Sequence, residues 1–403
     1  MRIEQQLQTW SEQFAQRARG DVGEGIAAVL ALSGAKDLIS FGGGFPDPAT
    51  FPGQALADIL SELIATADAS AFQYSPTQGL ASLRAYLRER LGRLEGIEPS
   101  ESELLVTSGG IEGLELLGKS FLDPGDAVIV EAPTYMGAIM AFRSFEANLV
   151  GVSMDDEGLR PDELEDITAG IRPKLLYTIP DHQNPAGVSL STERRQALVD
   201  FARRNGILIV EDVAYRELGF HGERQPSLWS IGPDVVVQIG TFSKTFFPGV
   251  RLGWAAGPAE VIAQLTAAKQ LTDQCAGALG QRLLEEYGRR GLLDEQVRRA
   301  CELYGRRSDL MQAALADHMP DGIAWTKPRG GFFSWLTLPP PLDSVAMSPA
   351  AMAEKVAYVP GTLFFPDGRG RNTIRLAFSK VEDDDIGEGI RRLGRLLRTQ
   401  LEA

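Results

Sequence analysis

One lysine in this chain stands apart by the company it keeps. Thr241-Phe-Ser-Lys-Thr-Phe-Phe-Pro248 follows the apolar run at 235–239 and leads into Gly249-Val-Arg-Leu-Gly-Trp254. An amine at the end of a buried strand is shielded from bulk water, and this favours the neutral form that attacks carbonyls. Lys244 can therefore form an imine with an aldehyde cofactor while Thr241, Ser243 and Arg251 hold a phosphate. Lys36, Lys119, Lys174, Lys269, Lys327, Lys355 and Lys380 lack these neighbouring hydroxyls and the downstream Gly-x-Arg.

Other groups can serve the same chemistry. Ser108-Gly109-Gly110-Ile111 is a glycine turn opening a helix near Glu112, and a helix start offers unpaired N–H groups and a partly positive end to phosphate. Asp212 closes the run Ile207-Leu-Ile-Val-Glu-Asp. A carboxylate there could keep a pyridine nitrogen protonated and make the ring an electron sink, or it could simply cap a helix. Tyr215 and Asn184, the latter in Pro180-Asp-His-Gln-Asn-Pro-Ala-Gly187, can both hydrogen-bond a phenolic ring oxygen. Tyr135 could stack on a planar ring or be an ordinary core tyrosine. Arg375 lies in Thr373-Ile-Arg-Leu-Ala-Phe-Ser379, where alternation sets it on the face of Thr373, Ala377 and Ser379. Such small neighbours leave room for a bidentate carboxylate above the guanidinium; the alternative is an arginine reaching for solvent.

These groups need a scaffold, and its pattern is legible. Short apolar runs at 103–107, 127–130, 174–179, 206–210 and 235–239 alternate with helical stretches. Continuous apolar runs suit a mainly parallel sheet covered on both faces, in an α/β domain. Ligands of such sheets bind beyond the carboxyl ends of the strands, and every group named up to Lys244 follows such a run. A helical stretch spans roughly 258–318, followed by strand-like runs at 323–325, 330–336, 356–359 and 373–379 and an amphipathic helix from Asp384. This is an α+β lobe, which the first 50 or so residues complete. The expected division is a large domain over 51–285 and a small one over 1–50 and 286–403.

With 403 residues and 44% hydrophobic content, the chain exceeds the roughly 250–300 residues at which single cores stop growing. Its 40 Lys and Arg against 54 Asp and Glu give a net charge of −14, with no basic block to track phosphates, so nucleic acid and anionic membrane are poor partners. No run nears the ~20 apolar residues of a membrane span, and Met1-Arg-Ile-Glu-Gln-Gln does not read as a secretory signal. Cys275 and Cys301 have no metal-ligand or CxxC spacing, so reduced thiols, a cytoplasmic protein and no metal are expected.

In this order the elements resemble the aspartate-aminotransferase-like superfamily of pyridoxal phosphate enzymes, fold type I, class I/II. The nearest likeness is to the subgroup of 2-aminoadipate and kynurenine aminotransferases. The motifs are Phe41-Gly-Gly-Gly-Phe-Pro, Gln73-Tyr-Ser-Pro-Thr-Gln-Gly79, 180–187, Glu211-Asp-Val-Ala-Tyr215, 241–254, Pro328-Arg-Gly-Gly-Phe332, Val359-Pro-Gly361 and Asn372-Thr-Ile-Arg-Leu376. The resemblance implies that Lys244 forms the imine with pyridoxal 5'-phosphate, that Asp212 pairs with the pyridine nitrogen, and that Asn184 and Tyr215 contact the 3-hydroxyl. It implies phosphate contacts from Gly110, Ile111, Ser243, Arg251 and Thr241, with Tyr74 reaching the phosphate of a neighbouring subunit in a homodimer. Arg375 would clamp the substrate α-carboxylate with help from Asn184, beside Gly43 and Gly44.

Two departures mark this chain. Relatives often carry Ser-Gln where Gly110-Ile111 stands, and acidic-substrate relatives place an arginine where Gly20 aligns, with Arg19 beside it. The expected reaction is transfer of an amino group from an L-amino acid to a 2-oxo acid, with 2-oxoglutarate as acceptor by resemblance. Phe41, Phe45, Tyr135, Phe364 and Phe365 could line an apolar pocket, which points to a large apolar or aromatic donor, with 2-aminoadipate as runner-up. The same constellation also serves β-lyases, decarboxylases and cyclising enzymes. A non-catalytic regulator fused behind a DNA-binding module is disfavoured by the acidic charge and the short segment before Gly42. A nucleotide dehydrogenase is disfavoured by Pro46, which stands where a GxGxxG turn would enter its helix.

Overall fold

The computed structural model describes residues 10–18 and 37–402. Arg19 and Gly20 lie outside the described residues. β1 (Ile39–Ser40) pairs in parallel with β12 (Val356–Ala357), joining the start of the described chain to its C-terminal part. β2 (Leu104–Thr107), β3 (Ala127–Ala132), β4 (Asn148–Asp155), β5 (Gly158–Leu159), β6 (Pro173–Thr178), β7 (Leu208–Asp212), β8 (Val236–Thr241) and β9 (Gly253–Ala256) make one sheet. Its order is β2-β9-β8-β7-β6-β3-β4-β5. Strands β8, β7, β6, β3 and β4 are mutually parallel, while β9 is antiparallel to both β8 and β2. The carboxyl ends of β2, β3, β6, β7 and β8 therefore open on one edge.

Alternate residues of each central strand enter different cores. Ile129, Leu176, Ile209 and Val236 join the helices Ala81–Glu95 and Thr192–Asn205 on one face. Val130, Leu175, Val210 and Val237 meet Gly110–Phe121, Met136–Arg143 and Ala259–Gln270 on the other. Burial on both faces is why these strands read as unbroken apolar runs. The sequence pattern missed β4, most of whose residues are exposed or only partly buried, and β9. The latter packs so close that a Cβ on Gly253 would stand 2.6 Å from the Gly240 oxygen and 2.9 Å from the Gly109 carbonyl carbon.

A second sheet, β10 (Ala324–Trp325), β11 (Phe333–Thr337), β14 (Thr373–Ala377) and β13 (Val359–Pro360), is antiparallel throughout. Leu292–His318 and Asp383–Glu402 share a core with it. The expected single helical stretch at 258–318 is three helices, Ala259–Gln270, Ala278–Arg289 and Leu292–His318. Gly277 and Gly291 sit at the N-caps of the second and third, and Gly291 takes a left-handed conformation with φ 75°. The expected strand at 356–359 splits between β12 and β13, which pair with different partners.

Candidate active site

The edge formed by the carboxyl ends of the strands holds a cavity of about 320 Å³. It gathers Gly110, Ile111, Tyr135, Asn184, Asp212, Tyr215, Thr241, Ser243, Lys244 and Arg251 from the loops after β2, β3, β6, β7 and β8, with Gly44 and Arg375 from the other side. Gly110 and Arg251, 141 positions apart in sequence, meet there because parallel strands bring their carboxyl ends to one edge.

Lys244 Nζ donates to the Gly44 carbonyl oxygen at 3.0 Å, and no carboxylate pairs with it among the described residues. Burial, followed by the positive charge of Arg375, lowers its pKa to about 8. Lys269 is the contrast. It is wholly buried, but its ammonium is neutralised by Glu112 at 2.7 Å and Asp273 at 2.8 Å. Two buried amines thus differ in their partners: Lys269 is locked between carboxylates, whereas Lys244 meets a carbonyl oxygen.

The expected phosphate ligands converge. Thr241 Oγ1 donates to Ser243 Oγ at 3.0 Å, and Arg251 Nη1 reaches the same oxygen at 3.3 Å. Arg251 has φ 51°, which turns its side chain back over the glycine turn. Gly109, with φ 96°, is needed there: a Cβ would lie 2.8 Å from Arg251 Nη2. Gly109 caps the helix Gly110–Phe121 with no side-chain hydrogen bond, which leaves the helix start to an external anion. Ile111 is 42% exposed and has no polar side chain to add.

At the cavity floor, Asp212 Oδ2 accepts from Tyr177 Oη at 2.8 Å and Oδ1 accepts from the Ala214 N–H at 3.1 Å. Burial pushes its pKa up, against the pull of those two donors and of Lys244. No cation pairs with Asp212 among the described residues, so a ring N–H would supply a partner the fold leaves out. Tyr215 is buried edge-on to Phe332 and Phe333; burial raises its pKa, and Asn184 is a hydrogen-bond neighbour.

Arg375 is buried and has no counter-ion among the described residues. Nη1 donates to Asn184 Oδ1 at 3.1 Å and Nη2 to the Gly42 oxygen at 2.7 Å, while Nε has no partner. Burial brings its pKa down to about 10. Its expected neighbours were the small residues of its own strand. Instead the guanidinium lies between the rings of Phe333 and Phe364, 4.4 and 4.8 Å from their centroids. Antiparallel register supplies Phe333 from β11, opposite Ala377.

Several expected residues stand elsewhere. Tyr74 is 79% exposed and away from the cavity of its own chain. Gly43 faces a separate small cavity beside Lys380. Of the five suggested aromatic lining residues, Phe45 and Tyr135 line the cavity. Phe41 is core, Phe364 backs Arg375, and Phe365 packs beside Trp335.

Three residues with no assigned part in the sequence reading support this floor. Besides Tyr177, Glu131 Oε2 accepts from Gln183 Nε2 at 2.8 Å, and Gln183 Nε2 also donates to the Pro133 oxygen at 2.8 Å. Gln183 therefore ties the loop of Asn184 to that of Tyr135. The available signal was the carboxylate of Glu131 at the end of the apolar run from Ala127, which burial obliges to find partners.

This geometry fits pyridoxal phosphate: one cavity is lined by an anion cradle, a carboxylate and an amine without ionic partners among the described residues, and a buried arginine. The family model described as aminotransferase class I and II matches residues 36–393. The chain is 38% identical over 399 residues to aromatic-amino-acid aminotransferase 1 of Thermococcus litoralis, covering 98% of this chain and 96% of that protein. It is 37% identical over 394 residues to 2-aminoadipate transaminase of Thermus thermophilus, covering 97% and 98%. The crystal structure of the Pyrococcus horikoshii kynurenine aminotransferase superposes with a TM-score of 0.93 at 38% identity, covering 97% of this chain and 98% of that one.

Proposed function

The chain belongs to the class I and II aminotransferases, pyridoxal-phosphate enzymes of fold type I, and from that premise we propose that it moves the amino group of a large apolar or aromatic L-amino acid to 2-oxoglutarate. The cavity lining carries the donor preference. Phe45, Ile111, Leu114, Met136, Ile179 and Phe333 are apolar, and each described cation there has another task. Lys244 serves the cofactor aldehyde, Arg251 the phosphate cradle, and Arg375 the α-carboxylate. No cation remains among the described lining residues for a distal carboxylate. The runner-up donor, 2-aminoadipate, draws support from the Thermus relative.

Pyridoxal phosphate, when bound, supplies an aldehyde that condenses with amines and a ring that takes up electrons from the substrate carbon. The chain's own residues do the rest. Asp212 holds a proton at the ring nitrogen, while Asn184 and Tyr215 hold the 3-oxygen. Ser243, Thr241, Arg251 and the N–H groups of Gly110 and Ile111 hold the phosphate. Arg375 pairs with the α-carboxylate, which supplies its missing counter-ion, and Gly44 borders the substrate. Gly43 we leave behind this wall. Lys244 Nζ removes the α-proton and redelivers it across the C–N bond.

We further propose a homodimer in which Tyr74 reaches the phosphate of the partner subunit's site. Its exposure, with Phe72 at 59% and Leu271 at 81%, supports a contact surface there. The free thiols Cys275 and Cys301 suit a reducing cytoplasm. Among the described residues no helix is long and apolar enough to cross a membrane.

The test is a panel of amino donors scored by conversion of the bound aldehyde to the amine form. Phenylalanine and leucine are expected to convert fastest, and a preference for 2-aminoadipate over both overturns the assignment. Lys244→Ala is expected to lose the imine absorption band and the half-reaction; normal transamination by that variant sinks the role given to Lys244.

A further inference from the structure

We propose that Tyr177 is a positioning residue for the electron sink: its hydroxyl holds Asp212 as an ionised carboxylate aimed at the cofactor's ring nitrogen. The proposal rests on the reading of Asp212 as the partner of that nitrogen.

Tyr177 is fully buried on β6, and its hydroxyl donates to Asp212 Oδ2 at 2.8 Å. The register places it between Val130 on β3 and Val210 on β7. Phe142 meets its ring edge-on at 5.9 Å between centroids. Branched and aromatic neighbours leave such a ring little freedom, so the hydroxyl points where the fold sends it.

The consequence for Asp212 is electrostatic. Its other oxygen receives the Ala214 N–H at 3.1 Å, so each oxygen already has a donor. Both donors bind the charged carboxylate more strongly than the neutral acid, which favours the ionised form although burial opposes it, and a free lone pair remains for the ring nitrogen's proton. Take away the hydroxyl and one backbone donor remains. Burial keeps the phenol well above its ordinary range, so Tyr177 remains a donor while the carboxylate does its work. No proton leaves it.

Two features separate this from plain core packing. A buried tyrosine needs only some acceptor for its hydroxyl, whereas this one uses Asp212, the carboxylate that lines the cavity without a cation among the described residues. Among the described residues, Asp212 in turn receives a hydrogen bond from no other side chain.

The experiment uses holoenzyme loaded with pyridoxal phosphate carrying ¹⁵N in the ring. The wild type is expected to show a protonated nitrogen. In Tyr177→Phe the ¹⁵N resonance moves toward the neutral form, and the half-reaction with phenylalanine slows roughly tenfold, the scale of one hydrogen bond to a charged group. Donor affinity stays within about twofold, because Tyr177 does not face the substrate. In an Asp212→Asn background, Tyr177→Phe adds less than about twofold, as expected for a residue acting through Asp212. A measurement that keeps the hydroxyl guards against a variant that does not fold. With 3-fluorotyrosine at 177, the ¹⁹F resonance of the holoenzyme moves on Asp212→Asn; an unchanged resonance overturns the proposal.

Equal nitrogen shifts and equal rates in wild type and Tyr177→Phe also overturn it. So does the same loss from Tyr177→Phe with and without Asp212. A wild-type nitrogen that is unprotonated, or indifferent to Asp212→Asn, defeats instead the underlying reading of Asp212.

Discussion

The unpaired charges of the site are its least stable residues and its most telling ones. Lys244 has a folded pKa of about 8, below the value near 10.5 expected of an unfolded chain. The folded state therefore binds fewer protons between about pH 8 and 10.5, and the lysine's contribution to stability rises with pH across that window. Below it, the buried ammonium is a cost. Lys244→Met is accordingly expected to stabilise the cofactor-free protein by on the order of 1–3 kcal/mol at pH 7, checked by denaturant melts with and without the substitution. Imine formation by the cofactor-free wild type is expected to climb with pH and level off near 8; a profile still rising at pH 10 contradicts the lowered pKa. Arg375→Ala removes the carboxylate clamp and is expected to cut kcat/KM by roughly 10²- to 10³-fold for every amino donor, measured on the same panel. Residue types and order made both groups legible in the sequence. What lay hidden was their surroundings: the aromatic rings on Arg375 come from β11 and the Phe364 segment, which no alternation within β14 could reveal.

Turns and loops, more than strands, decide whether the cofactor is held. The turn between β2 and its helix works because Gly109 has φ 96° and leaves Arg251 room. Gly109→Ala adds backbone strain of about 1–3 kcal/mol and a clash, and is expected to weaken pyridoxal phosphate binding at least tenfold, read by titrating the cofactor-free protein. Gln183 acts on two loops at once: it also accepts from the Ala186 N–H at 2.7 Å. Gln183→Leu leaves Glu131, Pro133 and Ala186 without that partner, at a cost of roughly 3 kcal/mol, and is expected to lower the melting temperature together with kcat/KM. β2, β3, β6, β7 and β8 were legible because both of their faces are apolar. β4 was not, because most of its residues are exposed or only partly buried, and β9 was not, because Gly253, Ala255 and Ala256 look like loop until they pack on β8 and β2.

At the scale of the molecule, the proposed dimer makes the site a joint product of two chains. Sedimentation is expected to show a species of twice the 43.7 kDa chain mass. Mixing inactive Lys244→Ala chains with Tyr74→Ala chains is expected to restore about a quarter of wild-type activity, because half the dimers formed would carry one intact site; no gain on mixing contradicts sharing. The family, its cofactor and the reaction were determined by the sequence itself, because they depend on residue types in a fixed order: a lysine after a strand, an acid after another, an arginine near the end. Only the tertiary structure decided which of two buried lysines keeps a reactive amine, which aromatic residues border the cavity and which support Arg375, and that Tyr177 reaches Asp212. Those outcomes depend on which side chains meet across strands and loops far apart in the chain, and burial assigns their partners only once the sheet has set its order and register.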